Sequence, residues 1–336
     1  MIIDIHGHVS APQGLYAWKA NQLAARGAHG RSPLKFTDAQ LEEAIRGAPG
    51  VFGRAHLDQM DKHGTDIQLI SPRPFQLMPS EKPSRIVHWW HEENHNVIAE
   101  NVRLHPDRFK GVAALPLAAG EPVEAALPEL ERCVKKLGFV GCIFNSDPYE
   151  NSGVEPPALS DRFWYPFYEK LCELDIPAML HSNGSHSTRT NYSTNFILEE
   201  TIAVVTLCNS DVFKDFPNLK LIIPHGGGAV PYQLGRYQAG TWARPAGERF
   251  LDRMRKLWYD CVLYNPESVE FLIKILGPDR IMFGSECPGT GSHLNPETGR
   301  SCDDVAPSVK QIEWLSDADK KKILEDNAKQ VFKLKV

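Results

Sequence analysis

The chain has 336 residues, of which 42% are hydrophobic and 24% are charged, proportions that are ordinary for a globular protein. Its net charge of −5 at pH 7 argues against a nucleic-acid partner, because phosphate contacts need a basic patch and none stands out. No apolar run approaches the roughly 18–20 residues of a membrane span, and the opening lacks the basic and apolar parts of a signal peptide. We therefore expect a cytoplasmic protein with a small-molecule partner and no membrane contact.

The cysteines are odd in number, scattered, and contain no C-x-x-C pair. They are Cys133, Cys142, Cys172, Cys208, Cys261, Cys287 and Cys302. Such a set indicates reduced, mostly buried thiols rather than a disulfide framework.

Short apolar runs, each separated from the next by enough chain for a helix, recur eight times. These runs predict β-strands, and they lie at residues 2–8, 66–73, 109–116, 139–146, 177–183, 220–227, 257–264 and 281–287. Amphipathic stretches predict helices at 121–137, 161–174 and 266–276, and the tail at 316–334 has a helical pattern as well. Strands that alternate with helices predict an α/β fold, a (β/α)8 TIM-like barrel with right-handed crossovers. A doubly wound sheet is the alternative architecture.

The barrel accounts for the whole chain, residues 1–336, as one domain, since such barrels typically have about 250 residues and more with insertions. Two longer stretches, at about 10–53 and 288–308, predict loop insertions. Both follow the C-terminal end of a strand, and barrel active sites lie at that face.

The first strand ends in two histidines, His6 and His8, with a glycine between them. Residues i and i+2 of a strand point to one face and lie about 6–7 Å apart. Two imidazole nitrogens at that spacing can meet at one metal ion. Taken alone, such a pair is more often coincidental than functional, so the rest of the chain must decide.

Polar residues also end other predicted strands. They are Arg73 on the second strand, Asn145 on the fourth, His181 and Asn183 on the fifth, His225 on the sixth and Glu286 on the eighth. A lone histidine at a strand end is usually a hydrogen-bonded surface residue, but four histidines and a carboxylate at strand ends converge on the mouth of the barrel. Imidazoles with one carboxylate suit zinc, with manganese or iron less favoured, and a catalytic site keeps one coordination position open.

Four motifs carry a resemblance to a known family: HGH after the first strand, LHSNG after the fifth, IIPHGGG after the sixth and FGSECP after the eighth. Together with HPDRFKGVAALP (105–116) and FPNLKLIIPHGGG (216–228), they resemble the metal-dependent amidohydrolase superfamily, in the branch that contains aminocarboxymuconate semialdehyde decarboxylase. The resemblance covers nearly the whole chain. Within the branch, GSECPGTG followed by NPETGR and a DD pair (295–304) is most similar to the 4-oxalomesaconate hydratases.

The resemblance implies one zinc ion per chain, bound by His6, His8 and His181, with Glu286 beside the metal or bound to it. It also implies that His225 is an acid, a base or a group that orients substrate, and that the protein forms a homodimer. Most of the superfamily has aspartate where this chain has Glu286. The longer side chain reaches farther toward a substrate, so Glu286 is a candidate for metal ligand, for catalytic base, or for both.

The similarity to hydratases implies addition of water to the C=C of 4-oxalomesaconate, giving 4-carboxy-4-hydroxy-2-oxoadipate in protocatechuate or gallate catabolism. A tricarboxylate needs cationic partners, and a guanidinium holds a carboxylate by two charge-assisted hydrogen bonds. Arg73 is the first candidate for this role, and the other substrate-binding candidates are Asn145, Asn183, Arg189, Tyr192, Arg236 and Ser285, with Arg300 after them. For the loop arginines, a solvated surface charge is an equally good interpretation.

Two other functions stay open at this point. A decarboxylase or hydrolase in the same barrel would use the same metal, although it would more usually carry aspartate in place of Glu286. A zinc-stabilised scaffold without catalysis is a weaker hypothesis, because structural zinc sites are closed by four protein ligands, commonly cysteines.

Overall fold

Eight parallel strands form the centre of the molecule. The structure is a computed structural model that describes residues 1–46, 55–242 and 247–336. The strands are β1 (Ile3–His8), β2 (Ile67–Ser71), β3 (Phe109–Ala114), β4 (Gly141–Phe144), β5 (Ala178–Leu180), β6 (Leu221–Ile223), β7 (Trp258–Asp260) and β8 (Ile281–Met282). Each strand lies inside the range that its sequence predicted, so the predicted α/β barrel is confirmed.

The sheet curves until its last strand meets its first. Each strand pairs with its neighbours in chain order, which excludes the doubly wound alternative because that architecture reverses strand order partway across the sheet. The Ile5 N–H donates to the Phe283 carbonyl oxygen at 3.0 Å, and the Glu286 N–H donates to the His6 carbonyl oxygen at 2.7 Å. These two bonds link the chain after β8 to β1 and nearly close the barrel.

Helices connect the strands and form the outer layer. They are α1 (Gln13–Ala24), α2 (Asp38–Arg46), α3 (His56–His63), α4 (Arg85–Leu104), α5 (Leu127–Leu137), α6 (Tyr165–Leu174), α7 (Tyr192–Cys208), α8 (Val212–Asp215), α9 (Leu234–Trp242), α10 (Phe250–Met254), α11 (Pro266–Leu276), α12 (Ala306–Lys310), α13 (Asp317–Lys321) and α14 (Asn327–Phe332). The helices predicted at 121–137, 161–174 and 266–276 correspond to α5, α6 and α11, and the predicted tail helix is α13 and α14 joined by a π-helical turn. Within the described ranges, no helix is both long and apolar enough to cross a membrane.

The predicted insertions follow β1 and β8. The first contains α1 and α2, and its residues 47–53 lie outside the described residues. The second is largely irregular before α12, with an antiparallel bridge between Leu294 and Ser301. All seven cysteines are free thiols and most are buried, as the sequence predicted.

Two apolar layers pack on the strands. The larger layer lies between the strands and the helices. The smaller one fills the barrel and draws a residue from every strand, namely Ile5, Leu69, Val112, Ile143, Met179, Ile222, Trp258 and Met282. Phe332 of α14 joins this inner layer and packs against Gly141, the first residue of β4. The N-terminal end of the barrel is therefore covered by apolar residues, and the C-terminal mouth is left for polar ones.

Candidate active site

A bulge in β1 aims its two histidines at the barrel mouth. Ile5 belongs to the apolar layer inside the barrel, so regular alternation would send His6 and His8 to the opposite face. The pairing of β1 with β2 slips by one residue between Asp4 and Gly7, and an extra residue of this kind reverses the alternation. The Asp4 carboxylate accepts a hydrogen bond from the His6 backbone N–H at 2.9 Å, which stabilises the bulge.

Packing explains the glycine between the two histidines. A Cβ on Gly7 would lie 2.3 Å from Cδ of Gln68 on β2. The Gln68 amide donates to the Asp4 carboxylate at 2.8 Å and to the Cys287 carbonyl oxygen at 2.7 Å. A side chain at position 7 would displace Gln68 from these bonds, which tie β1 and β2 to the chain after β8.

Hydrogen bonds to Nδ1 determine which nitrogen of His181 and His6 carries the proton. Nδ1 of His181 lies 3.1 Å from the Ser182 carbonyl oxygen, and a carbonyl can only accept, so Nδ1 is the protonated nitrogen. Nδ1 of His6 lies 2.7 Å from the carboxylate of Asp260, the last residue of β7, and donates to it in the same way. In the neutral form of either ring, this tautomer makes Nε2 the acceptor.

His8 also donates from Nδ1, but its acceptor is a hydroxyl group. Its Nδ1 lies 2.9 Å from the Ser71 Oγ. That hydroxyl is 3.2 Å from the carbonyl oxygens of Gly7 and Pro72, to which it can donate, so it accepts from His8 Nδ1. Partners of this kind set the ring orientation and the tautomer of metal-binding histidines.

Three acceptor nitrogens therefore face one another at the mouth. The Nε2 atoms of His6, His8 and His181 are buried and have no hydrogen-bond partner among the described residues. The ring centroids lie between 5.0 and 5.4 Å apart, and burial holds the pKa of His8 and of His181 well below its ordinary value, so these two rings are neutral. Buried polar atoms almost always have a partner, and neutral imidazoles are good ligands for zinc and similar ions. The residues fit a metal ion.

Glu286 faces the histidines from the chain that follows β8. Its Oε1 lies 3.9 Å from Nε2 of both His8 and His181, and its Oε2 lies 3.9 Å from Nε2 of His225. The Tyr264 hydroxyl donates to Oε2 at 2.7 Å. Burial alone would raise the pKa of Glu286, but the neighbouring histidines, His225 foremost, hold that pKa well below its ordinary value. Glu286 is therefore a carboxylate.

His225 differs in charge from the neutral rings of His8 and His181. It follows β6, and its Nδ1 lies 2.6 Å from Oε1 of Glu200 on α7. Burial would lower its pKa, but the carboxylates of Glu200 and Glu286 hold the pKa well above its ordinary value. His225 has a ligand atom within 4.8 Å of those of His6, His181 and Glu286. Its positive charge nevertheless favours a proton donor over a metal ligand.

A cavity of about 370 Å³ opens onto this centre. It is lined by four of the predicted site residues, His8, Arg73, Tyr192 and Glu286, and by Pro74, Phe75, Pro288, Gly289, Thr290 and His293. Apolar walls with a few convergent polar groups are typical of small-molecule sites.

Arg73 is buried in the cavity wall. Its Nη1 donates to the Pro288 carbonyl oxygen at 3.0 Å, and a hydrogen bond links it to Tyr16. Burial lowers its pKa, yet a guanidinium keeps its charge in proteins. A buried cation in the wall of a small cavity is well suited to bind a carboxylate.

The structure places the other strand-end candidates differently. Asn183 is buried, and both atoms of its side-chain amide lack a partner within the described part of the chain. The Asn145 amide donates to the Asp147 carbonyl oxygen at 2.6 Å and accepts from the Asp147 N–H at 3.1 Å. The Ser285 hydroxyl donates to the Asp4 carboxylate. Asn145 and Ser285 are thus engaged in contacts within the fold, whereas the Asn183 amide has no such contact among the described residues.

The loop arginines do not meet at the cavity. Arg189 and Arg236 are exposed, and neither belongs to the cavity lining described above. Arg300 forms an ion pair with Asp304. Their roles in substrate binding stay predictions.

Sequence reasoning missed the groups that hold the site residues in place. Asp260 and Ser71 each end a strand. The predicted ligands were selected by their position at strand ends, so the same criterion could have identified these two residues. Glu200 lies within α7 and Tyr264 lies four residues beyond the end of β7, so neither meets that criterion.

Comparison with known proteins agrees with the motifs. The profile of the family described as Amidohydrolase matches residues 3–334. A 2-keto-4-carboxy-3-hexenedioate hydratase from Sphingobium sp. is 36% identical, over 99% of this chain and 96% of that protein. The crystal structure of a 4-oxalomesaconate hydratase from Rhodopseudomonas palustris is 33% identical with a TM-score of 0.87, over 99% of this chain and 96% of that one. A dihydroxybenzoic acid decarboxylase from Polaromonas sp., solved with bound manganese and the inhibitor 2-nitroresorcinol, is 25% identical with a TM-score of 0.73, over 100% of this chain and 97% of that one.

Proposed function

Because the chain belongs to the amidohydrolase family, we propose that its mouth site is that of a hydratase, which adds water to the C=C of 4-oxalomesaconate to give 4-carboxy-4-hydroxy-2-oxoadipate. The expected similarity to hydratases is confirmed, and it supports this reaction in the breakdown of protocatechuate or gallate. One observation carries the proposal: three imidazole Nε2 atoms that have no partner among the described residues lie together beside Glu286. Two members of this centre, His8 and Glu286, line a cavity whose wall contains the buried Arg73.

We assign the metal to His6, His8 and His181, with Glu286 as the adjoining carboxylate. One zinc ion per chain is the proposal, because three histidines are a known ligand set of catalytic zinc and keep a fourth position open, and manganese is the alternative that the Polaromonas decarboxylase supports. An ion held there would supply Lewis acidity, which acidifies water and polarises a substrate oxygen.

Glu286 is the proposed base. Its carboxylate takes a proton from water, the water oxygen forms a bond to one alkene carbon, and the π electrons move toward the conjugated carbonyl. A positioned carboxylate is an effective general base when it lies within reach of the proton that it takes.

His225 is the proposed acid. Its cationic ring donates a proton to the neighbouring carbon, which completes the addition of one water molecule. Glu286 is then protonated and His225 neutral. Their Oε2 and Nε2 atoms lie 3.9 Å apart, so a proton passed from Glu286 to His225 returns both groups to their starting states.

Arg73 is the proposed anchor for a substrate carboxylate. It is buried at the cavity, where a charge-assisted hydrogen bond is stronger than in water. Asn183 is a second candidate, since its buried amide has no partner in the described ranges. The homodimer and the cytoplasmic location expected from the sequence stay predictions.

Incubation of the purified, zinc-loaded protein with 4-oxalomesaconate tests the proposal. We expect the absorbance of the conjugated double bond to disappear and the product mass to rise by one water, without release of CO₂. Release of CO₂ would instead identify a decarboxylase. An unchanged substrate at full zinc occupancy would contradict the proposed reaction.

A further inference from the structure

Three residues around the centre share a rare backbone conformation. His225, Tyr264 and Glu286 have φ angles of +48°, +54° and +59°, which residues with a side chain seldom adopt. They follow β6, β7 and β8, which are adjacent in the barrel. Strained residues of this kind persist where the surrounding structure imposes them, and they cluster at functional sites. His225 and Glu286 already have roles in the proposed reaction, whereas Tyr264 has none.

Tyr264 distinguishes the two oxygens of Glu286. Its hydroxyl donates to Oε2 at 2.7 Å, while Oε1 lies 3.9 Å from Nε2 of both His8 and His181. Without the hydroxyl, rotation about the last bond of the glutamate would exchange the two oxygens. The hydrogen bond removes that freedom.

The loop after β8 holds the tyrosine ring in place. A Cβ on Gly291 would lie 2.6 Å from Cε1 and Cζ of Tyr264, so the loop backbone rests directly on the ring. Asp303 anchors the same loop, because it is fully buried and accepts hydrogen bonds from the hydroxyls of Ser292 and Ser301. Gly291 closes the GSECPGTG motif, and its contact with Tyr264 gives that glycine a physical role.

We propose that Tyr264 is a positioning residue that assigns the two oxygens of Glu286 to different tasks, Oε1 to the ion held by the histidines and Oε2 to the side that faces His225. Glu286 is then both a metal-side carboxylate and the base, with one oxygen for each. This inference rests on the metal centre of the proposed function but not on the identity of the substrate.

The test compares two tyrosine-to-phenylalanine variants. Tyr264→Phe removes the hydroxyl that reaches Glu286 and keeps the ring under Gly291. Tyr259→Phe is the matched control, because Tyr259 is a buried residue of β7 whose hydroxyl donates to the Met254 carbonyl oxygen at 3.1 Å. Zinc affinity is measured for each purified protein by competition with a chelator, and circular dichroism confirms that each is folded.

We expect Tyr264→Phe to bind zinc about 10- to 100-fold more weakly than the wild type, the usual effect of removing a group that orients a metal-side ligand. Its kcat should fall while KM stays unchanged. Tyr259→Phe should melt at a lower temperature but keep the wild-type zinc affinity. Wild-type zinc affinity in Tyr264→Phe, or an equal loss in both variants, overturns the proposal. A protein that fails to hydrate 4-oxalomesaconate would contradict the proposed function only, since the difference in zinc affinity is read without substrate.

Discussion

Of the three groups of ligand-type side chains among the described residues, one lies at the barrel mouth and another between α4 and α5. In each group the potential ligand atoms lie within 4.8 Å of one another. The mouth group includes His6 and His181, and the outer group consists of His95, Glu129 and Cys133. By composition and spacing alone, both are candidates for a metal site.

In the outer group, the hydrogen bonds occupy every candidate ligand. His95 donates from Nδ1 to Glu129 at 2.7 Å and accepts at Nε2 from the Ala114 N–H at 2.8 Å. Glu129 also accepts bonds of 2.7 and 2.8 Å from Arg132. Burial raises the pKa of Cys133, so it remains a thiol and donates to Glu129 at 3.5 Å.

The difference shows what separates a binding site from a structural network. Proximity of histidines and acids is common to both groups, but only the mouth group has buried acceptor atoms without partners in the described part of the chain. An unsatisfied buried acceptor costs free energy, so it is retained where a ligand completes it. Substitutions in the mouth group should therefore reduce metal binding and activity, whereas substitutions in the outer group should reduce the stability of the fold.

Removal of a mouth imidazole should have the largest effect. His6→Ala, His8→Ala and His181→Ala each delete one of the three facing acceptor nitrogens, so each should lose most bound zinc and activity. The loss should exceed about 100-fold, the upper range for removal of a group that merely supports a ligand. Metal analysis and kcat measure the effect, and circular dichroism checks that the barrel remains folded. One zinc per chain in all three variants would show that the ligand set is wrong.

Glu286→Gln should have the next largest effect. The amide keeps the shape of the side chain but cannot take a proton, so kcat should fall by about 10²–10⁴-fold, the usual value of a general base. The measurement is made at saturating zinc and substrate, which separates loss of the base from loss of metal. Turnover near the wild-type value under those conditions would remove Glu286 from the chemistry and leave His225 as the base.

Arg73→Met should reduce binding of substrate without loss of zinc. Loss of a charged hydrogen-bond partner costs about 1.5–3 kcal/mol, so kcat/KM should fall roughly 10- to 100-fold. Steady-state kinetics and metal analysis of the same preparation provide the test. Unchanged kinetic constants would show that substrate carboxylates bind elsewhere.

His95→Leu, in the outer group, should weaken the fold and leave the metal unaffected. It strips the Ala114 N–H and the Glu129 carboxylate of a buried partner, at a cost of about 1–3 kcal/mol in the free energy of unfolding. His88→Leu is the matched control on α4, because its partner Glu121 and His88 itself are both partly exposed, and exposed pairs contribute about 0–1 kcal/mol. Urea unfolding measures both. Loss of zinc in His95→Leu would abolish the distinction between the two groups.

The strand positions and several site residues followed from the sequence by itself. An apolar, β-branched run bounded by polar residues determines where a strand lies and ends, because it depends only on neighbours along the chain. Parallel strands then bring their C-terminal ends to one mouth, so His181 after β5 and Glu286 after β8 could be assigned to one site. The sequence also indicated Arg73, which the structure places at the cavity.

Tertiary structure alone decided how those residues are used. The bulge that turns His6 toward the mouth depends on pairing with β2, and the carboxylate that sets its tautomer, Asp260, lies 254 residues away. The sequence placed Asn145 at a strand end just as it placed Asn183, but Asn145 bonds to its own loop. Contacts between distant segments form only when packing brings them together. A local sequence pattern therefore does not determine which polar atoms find a hydrogen-bond partner within the protein and which are left for a ligand.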